Sequence, residues 1–265
     1  TVDGSFPMGA VIMATSLHAG IHPLNGLMLA FCGGVGAGFV TAAIHNKLKV
    51  PHLLAGILTM TMLYSVNIRI LSNRANLPLL RVETLLSWVQ SACEGILSPE
   101  IASLIFFILV VLGLKLALDL FFLTDLGLVF GALGNNEQMV RVQGVNPATL
   151  KLIGVGLSNG LVALSGAFAA QYQGFADVNL GQGIVVSGLA SVMLGEFLLR
   201  SNRIWALTLR VILGAILFKA IMYLGRYYGY YINMTPNDLK LITGLLIIAS
   251  LAVSNYKRLR AKGDA

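Results

Sequence analysis

The chain has 265 residues, 57% of them hydrophobic and only 11% charged, with a formal net charge of +7. Soluble domains carry about 25% charged residues, so a chain this apolar has too few polar side chains to build a water-facing shell, and an ordinary soluble enzyme or binding module is excluded. The positive charge does not mark a nucleic-acid binder, because Lys and Arg lie in short clusters between apolar runs, which is how membrane proteins furnish cytoplasmic loops.

Asp, Glu, Lys and Arg are absent from 8–44, 50–68, 101–114, 152–176, 178–195 and 241–256. A bilayer core takes roughly 20 apolar residues as helix, and a helix satisfies its own backbone polar groups in lipid. The expected fold is an all-α, polytopic membrane bundle in one domain, 1–265. About eight membrane segments are expected: a short helix 6–19, then spans 23–44, 52–70, 101–118, 152–172, 183–199, 204–223 and 239–255. Pro23, Pro51, Pro99, Pro147 and Pro236 punctuate the joints.

At the start, Asp3-Gly-Ser-Phe-Pro7 reads as a helix opening, with Asp3 or Ser5 as cap and Pro7 in the first turn. A 14-residue helix is about 21 Å long, short for a full span. It is either an ordinary cap at the membrane edge or a broken helix whose N-terminus offers N–H donors and partial positive charge to a substrate. The second reading puts residues 1–6 at membrane depth. The chain opens at Thr1 without a charged n-region, and a further N-terminal segment is expected before it.

Next come the glycine-rich spans, with Gly33, Gly34, Gly36 and Gly38 in one and Gly154, Gly156, Gly160 and Gly166 in another. Small residues let membrane helices approach closely, for tight packing or to line a passage. In 82–96, Leu85, Leu86, Val89 and Cys93 share a helical face, so a short amphipathic helix is expected in the 71–100 loop. Lys115 and Asp119 are spaced to pair. Polar residues inside spans are few: Thr59, Thr61, Asn67, Ser158, Asn159, Ser165, Ser187 and Ser191. They make helix–helix hydrogen bonds or face a pathway. Tyr64, Tyr172 and Phe175 face an aromatic solute or belong to the interfacial belt. Arg210 and Lys219 sit near opposite ends of one span and can snorkel.

The tail carries Lys257, Arg258, Arg260 and Lys262 directly after the last span. The positive-inside rule places it in the cytoplasm. Alternation then puts 45–51, 119–151 and 200–203 inside, and 71–100, 173–182 and 224–238 outside. The Gly-rich span 23–44 with 54–63 resembles 152–172 with 186–194, and the two pairs run in opposite directions, as in an inverted transporter repeat. Cys32 and Cys93 show no metal spacing, the four histidines sit singly near span ends, and no nucleotide-binding, zinc-hydrolase or serine-hydrolase motif is present. No catalytic residue, metal or cofactor is assigned.

Val142-Gln-Gly-Val-Asn-Pro147, the run from Gly156 to Ala176, and Gly188-Leu-Ala-Ser-Val-Met-Leu-Gly-Glu196 together resemble the ribose/branched-chain-amino-acid class of ABC permeases, most like tryptophan/tyrosine-type uptake permeases. The opening TVDGSFP (1–7), LLAGILTM (53–60) and PNDLK (236–240) agree. The resemblance covers nearly the whole chain, and the family has one more helix before the opening motif. It implies a homodimeric permease in the bacterial inner membrane, two cytoplasmic ATPase subunits and an extracytoplasmic solute-binding protein.

The resemblance also implies a cytoplasmic helix at 135–144 that docks on the ATPase. In the coupling segment 134–147 the residues in question are Asn135, Glu137, Gln138, Arg141, Gly144 and Asn146. The substrate pathway would involve Asp3, Gly4, Ser5, Thr59, Tyr64, Asn67, Asn159, Ser165 and Ser191. Three positions depart from the family: Leu123 and Gly131 stand where Arg is usual, and Asn135-Asn-Glu-Gln138 replaces Asp-Asn-Pro-Glu. The expected function is passage of a small solute, an amino acid, from a binding protein into the cytoplasm. A stand-alone secondary transporter or channel is the alternative, and a membrane enzyme or scaffold a third reading.

Overall fold

The computed structural model describes residues 1–80, 82–95, 98–199, 201, 203–229, 244 and 248. The expected span 239–255, the basic tail and the 236–240 motif therefore lie outside the described residues, apart from residues 244 and 248. The described chain is mostly helical: α1 (Val2–His18), α2 (Pro23–Leu48), α3 (His52–Ile70), α4 (Leu85–Ala92), α5 (Pro99–Leu123), α6 (Asp125–Asn135), α7 (Glu137–Val142), α8 (Pro147–Gln173), α9 (Ile184–Leu198) and α10 (Ile204–Gly229). Two short strands, β1 (Asn76–Pro78) and β2 (Phe175–Asp177), pair antiparallel with Leu77 opposite Ala176. Five helices, α2, α3, α5, α8 and α10, are long and apolar enough to cross a membrane.

The chain divides into two compact units, Thr1–Leu114 with Thr124–Gln182, and Lys115–Leu123 with Gly183–Ala265. In the first, α1 is the central element. Ten of its 17 residues are buried, among them Ser5, Ala10, Val11, Met13 and Ala14. It is short, about 25 Å at 1.5 Å per residue, and is packed by α2, α3 and α8. Glycine makes this possible. A Cβ on Gly9 would lie 1.8 Å from the Ala163 carbonyl oxygen, and one on Gly166 would lie 1.9 Å from that of Phe6. The Gly-rich faces of α2 and α8 meet in the same way, Gly34 against Gly160 and Gly38 against Gly156. These are backbone-to-backbone contacts, which drive association where lipid removes the hydrophobic effect between helices.

The helix opening differs from expectation. Asp3 and Ser5 do not cap α1; the helix already runs through them from Val2. Pro7 is inside the helix, where its ring lies against the position a Gly181 Cβ would take. Ser5 is turned into the protein, where its hydroxyl donates to Asn159 of α8. The expected 82–96 helix is shorter, Leu85–Ala92, set by a reciprocal cap in which Thr84 and Ser87 each accept the other's backbone N–H. Its inward face is the expected one, with Leu86 buried. Spans 52–70 and 183–199 match α3 and α9 within a residue, while α2, α5, α8 and α10 continue beyond their expected ends.

In the second unit, α9 and α10 pack through Gly195 against the Arg210 carbonyl and Gly214 against that of Ser191. Lys115 pairs with Asp119 as its spacing predicts, and Thr208 adds a 2.6 Å hydrogen bond to the same carboxylate. Arg210 does not merely snorkel: its guanidinium donates to Glu196 at 3.1 Å.

Candidate functional site

Two clusters in the first unit contain most of the expected site residues. The first surrounds the N-terminal half of α1. The Ser5 hydroxyl donates to Asn159 Oδ1 at 2.8 Å, and Asn159 Nδ2 donates to the Val155 carbonyl. Asn67 Nδ2 donates to the Gly4 carbonyl at 3.2 Å. Thr1 shares a 3.1 Å hydrogen bond with Thr41 of α2. Ser5 and Asn67 are fully buried and Asn159 nearly so. Polar groups from α1, α2, α3 and α8 thus meet inside a membrane bundle, and Asn67 Oδ1 has no partner there.

Not every expected pathway residue joins this cluster. Thr59 is buried on α3 and bonds its own helix at Ala55. Asp3 is half-buried beside Gly4. Tyr64 is exposed. Ser165 faces a separate cavity of about 720 Å³ between α4, α5 and α8, with Phe107, Phe168 and Tyr172 in its wall. Ser191 belongs to the second unit and bonds Ser187 of its own helix. Phe175 is in β2 and half-buried. Thr41 was missed by sequence reasoning; as the lone hydroxyl residue of the apolar span Pro23–Leu48 it offered the same signal as Thr59.

The second cluster lies where the α2–α3 loop, α7 and the start of α8 converge. Asn46 Nδ2 donates to the Ala148 carbonyl at 3.0 Å. The expected helix 135–144 is the shorter α7, Glu137–Val142, separated from α6 because Asn136 is extended (φ −154°) and its side chain accepts the N–H groups of Gln138 and Met139. Asn135 ends α6, and Asn146 caps α8 through Ala148 N–H. Glu137 holds α7 to α8 by accepting from Lys151 at 2.7 Å, and Arg141 approaches its other oxygen at 3.7 Å. Val140 is buried, whereas Met139 and Val142 are 53% and 88% exposed. Gly144 has φ +84° with open space around it, so glycine is required there by backbone conformation rather than by crowding. Sequence reasoning assigned no site role to Lys151, His45, Asn46 or Lys49.

Lys151, and after it Arg141 and His45, hold the Glu137 carboxyl below its ordinary value of 4.5. A lowered folded value means that this pair supports α7 fully above the ordinary range and loses its effect as pH falls through the folded value. Hydrogen-exchange protection of α7 amides should therefore fall as pH drops below the ordinary carboxylate range. Glu137→Gln should lower it at every pH. Constant protection into acid would show that the ion pair does not hold α7.

The second cluster lies at the end of α2 and the start of α8, and the first lies deeper along the same two helices, at Thr41 and Asn159. His18, at the end of α1, bonds the Pro78 carbonyl beside the β1–β2 ribbon, and Gln171 near the end of α8 accepts from Leu85 N–H. The loops 45–51 and 137–147 gather at the other end. Apolar helices arranged this way, with a polar core and five long enough to cross a bilayer, define a multi-pass membrane protein.

Comparison with known proteins agrees. The family described as branched-chain amino acid transport system / permease component matches residues 2–251, and the chain belongs to it. It is an ABC-type transport permease. The tyrosine transport system permease protein of Clostridioides difficile is 40% identical over 96% of this chain and 81% of its own length. The uncharacterized protein RP368 of Rickettsia prowazekii is 32% identical over 97% of this chain and 87% of its own. The autoinducer 2 import system permease protein LsrC of Photorhabdus luminescens is 27% identical over 70% and 54%. No solved structure matches.

Proposed function

We propose that this chain is the membrane-spanning subunit of an importer that receives an amino acid, of aromatic type, from an extracytoplasmic binding protein and releases it into the cytoplasm. Separate ATPase subunits drive it, and two copies form the permease. The observation that carries the reading is α7: a helix between two spans, pinned by Glu137–Lys151 and Val140, that leaves Met139 and Val142 uncovered. Exposed apolar side chains on a fixed polar turn suit a surface covered on assembly. Glu137, Gln138 and Arg141 flank that surface, and Asn135, Gly144 and Asn146 shape the turns on either side. The aromatic class is supported by the tyrosine-transport relative.

In this reading the solute passes the α1 cluster, Asp3, Gly4, Ser5, Asn67 and Asn159, with Thr59 nearby on the α3 wall. The remaining residues assigned to the pathway, Tyr64, Ser165 and Ser191, would act away from that cluster. The 45–51 end is cytoplasmic, as is the C-terminus, in the bacterial inner membrane, and the two Gly-rich helices with their following spans form an inverted repeat. The test is uptake of labelled tyrosine by proteoliposomes holding permease, ATPase and binding protein. Uptake should need all three and internal release should follow ATP hydrolysis. Uptake that persists with a hydrolysis-dead ATPase and follows an ion gradient would establish a secondary transporter instead. A reporter fused after Ala265 that is active only outside the cytoplasm would reverse the orientation.

A further inference from the structure

We propose that the cavity between the α2–α3 loop, α7 and the start of α8 binds a phosphate group, supplied by the headgroup of an anionic phospholipid. The cavity has a volume of about 290 Å³, ample for a phosphodiester. Lys49, Arg141 and Lys151 line it, together with His45, Asn46 and Asn146. One carboxylate, Glu137, faces these three cations. Glu137 is engaged by Lys151 at 2.7 Å and reached by Arg141 only at 3.7 Å. The site therefore keeps a surplus of positive charge.

Lys49 is an exposed cation of this lining. It makes no hydrogen bond or ion pair with any described residue, yet it is held at the cavity by a left-handed backbone (φ 53°) at the end of α2. That conformation is unfavourable for a residue with a side chain. The walls are fixed on both sides. His45 Nδ1 lies 2.7 Å from the Val50 carbonyl, which can only accept, so Nδ1 carries the proton and braces the loop. Asn46 ties the same loop to Ala148. A lysine ammonium and an arginine guanidinium are the groups that recognise phosphate oxygens as point charge and fork.

Depth points to the lipid as the source. The cavity opens where three candidate membrane spans, Pro23–Leu48, His52–Ile70 and Pro147–Gln173, begin or end. That level is where lipid phosphates lie, and basic pockets between membrane helices bind anionic headgroups. A lipid phosphate here would bridge the α2–α3 loop to α7 and steady the segment between α6 and α8. The inference needs only that this end of the three helices meets a membrane surface. It does not depend on the solute or on the direction of transport.

The full chain, purified in detergent, is titrated with phosphatidylglycerol, phosphatidylcholine or inorganic phosphate and followed by native mass spectrometry. Phosphatidylglycerol should be retained in preference to phosphatidylcholine. Lys49→Gln should weaken it about fivefold and Lys49→Gln with Arg141→Gln about 25-fold. Lys49→Arg should retain it, and Lys219→Gln, at an exposed cation of α10, should change nothing. Melting in phosphatidylcholine checks that each variant is folded; if the double variant is not, Lys49→Gln against Lys219→Gln decides. Equal retention of the two lipids, or equal effects of those two variants, would overturn the site. Binding of inorganic phosphate through Lys49 without phosphatidylglycerol would overturn the lipid source. Loss of the lipid whenever ATPase subunits assemble would assign the cations to a protein carboxylate and overturn the proposal as well.

Discussion

Gly9→Ala is expected to lower the melting temperature of the detergent-solubilised protein sharply, or to prevent its accumulation in the membrane, while Gly36→Ala lowers neither. The two substitutions are chemically identical and both lie in helices of the first unit. At Gly9 the new methyl would sit 1.8 Å from the Ala163 carbonyl oxygen, a backbone atom of α8 that cannot swing aside; at Gly36 nothing lies within 4 Å. Overpacking of a fitted core costs about 1–3 kcal/mol, and forcing α1 off α8 should reach the top of that range. The displacement would also strain the Ser5–Asn159 hydrogen bond one turn away. At Gly36 the only change is a gain in helix propensity of about 1 kcal/mol. Equal melting of the two variants would show that α1 does not depend on backbone contact with α8.

Val142→Asp is expected to leave the permease folded at normal levels and to abolish ATP-driven uptake together with co-purification of the ATPase. Val142 is 88% exposed, so a carboxylate there remains in water in the isolated chain. On assembly the same carboxylate would be buried without a partner. Losing a central interface contact costs about 2 kcal/mol or more, roughly a thirtyfold loss of affinity. Val140→Asp, two residues away, should behave differently: Val140 is 1% exposed, and a charge there should dislodge α7 from α8 even without a partner. Gly144→Trp is a weaker probe than either, because φ +84° puts backbone strain into any result. Normal coupling in Val142→Asp would place the ATPase contact elsewhere.

The membrane class and the positions of the five long apolar helices α2, α3, α5, α8 and α10 are properties of the sequence alone. A charge-free run near the length of the bilayer has no other stable home, and Pro23, Pro51 and Pro147 stop or start helices through local sterics. The Lys115–Asp119 pair was legible for the same reason, since four residues on a helix is a fixed distance. The family motifs were equally local.

What only the tertiary structure decided is direction: which face of each helix meets protein. A helix in water advertises its inner face by contrast between apolar and polar sides; a helix in lipid is apolar all round, and the contrast is absent. Ser5 therefore looked like a cap, and only the approach of α8 through Gly9 and Gly166 made it a buried donor to Asn159. Ser165 and Ser191, indistinguishable from Asn159 by composition, went to a separate cavity and to the second unit. Lys151 met Glu137 across 14 residues because Asn136 broke the helix between α6 and α7 and turned the chain back. Contacts of that kind depend on where backbones can touch, and in lipid that is set by the pairing of small residues on two helices, which neither helix specifies by itself.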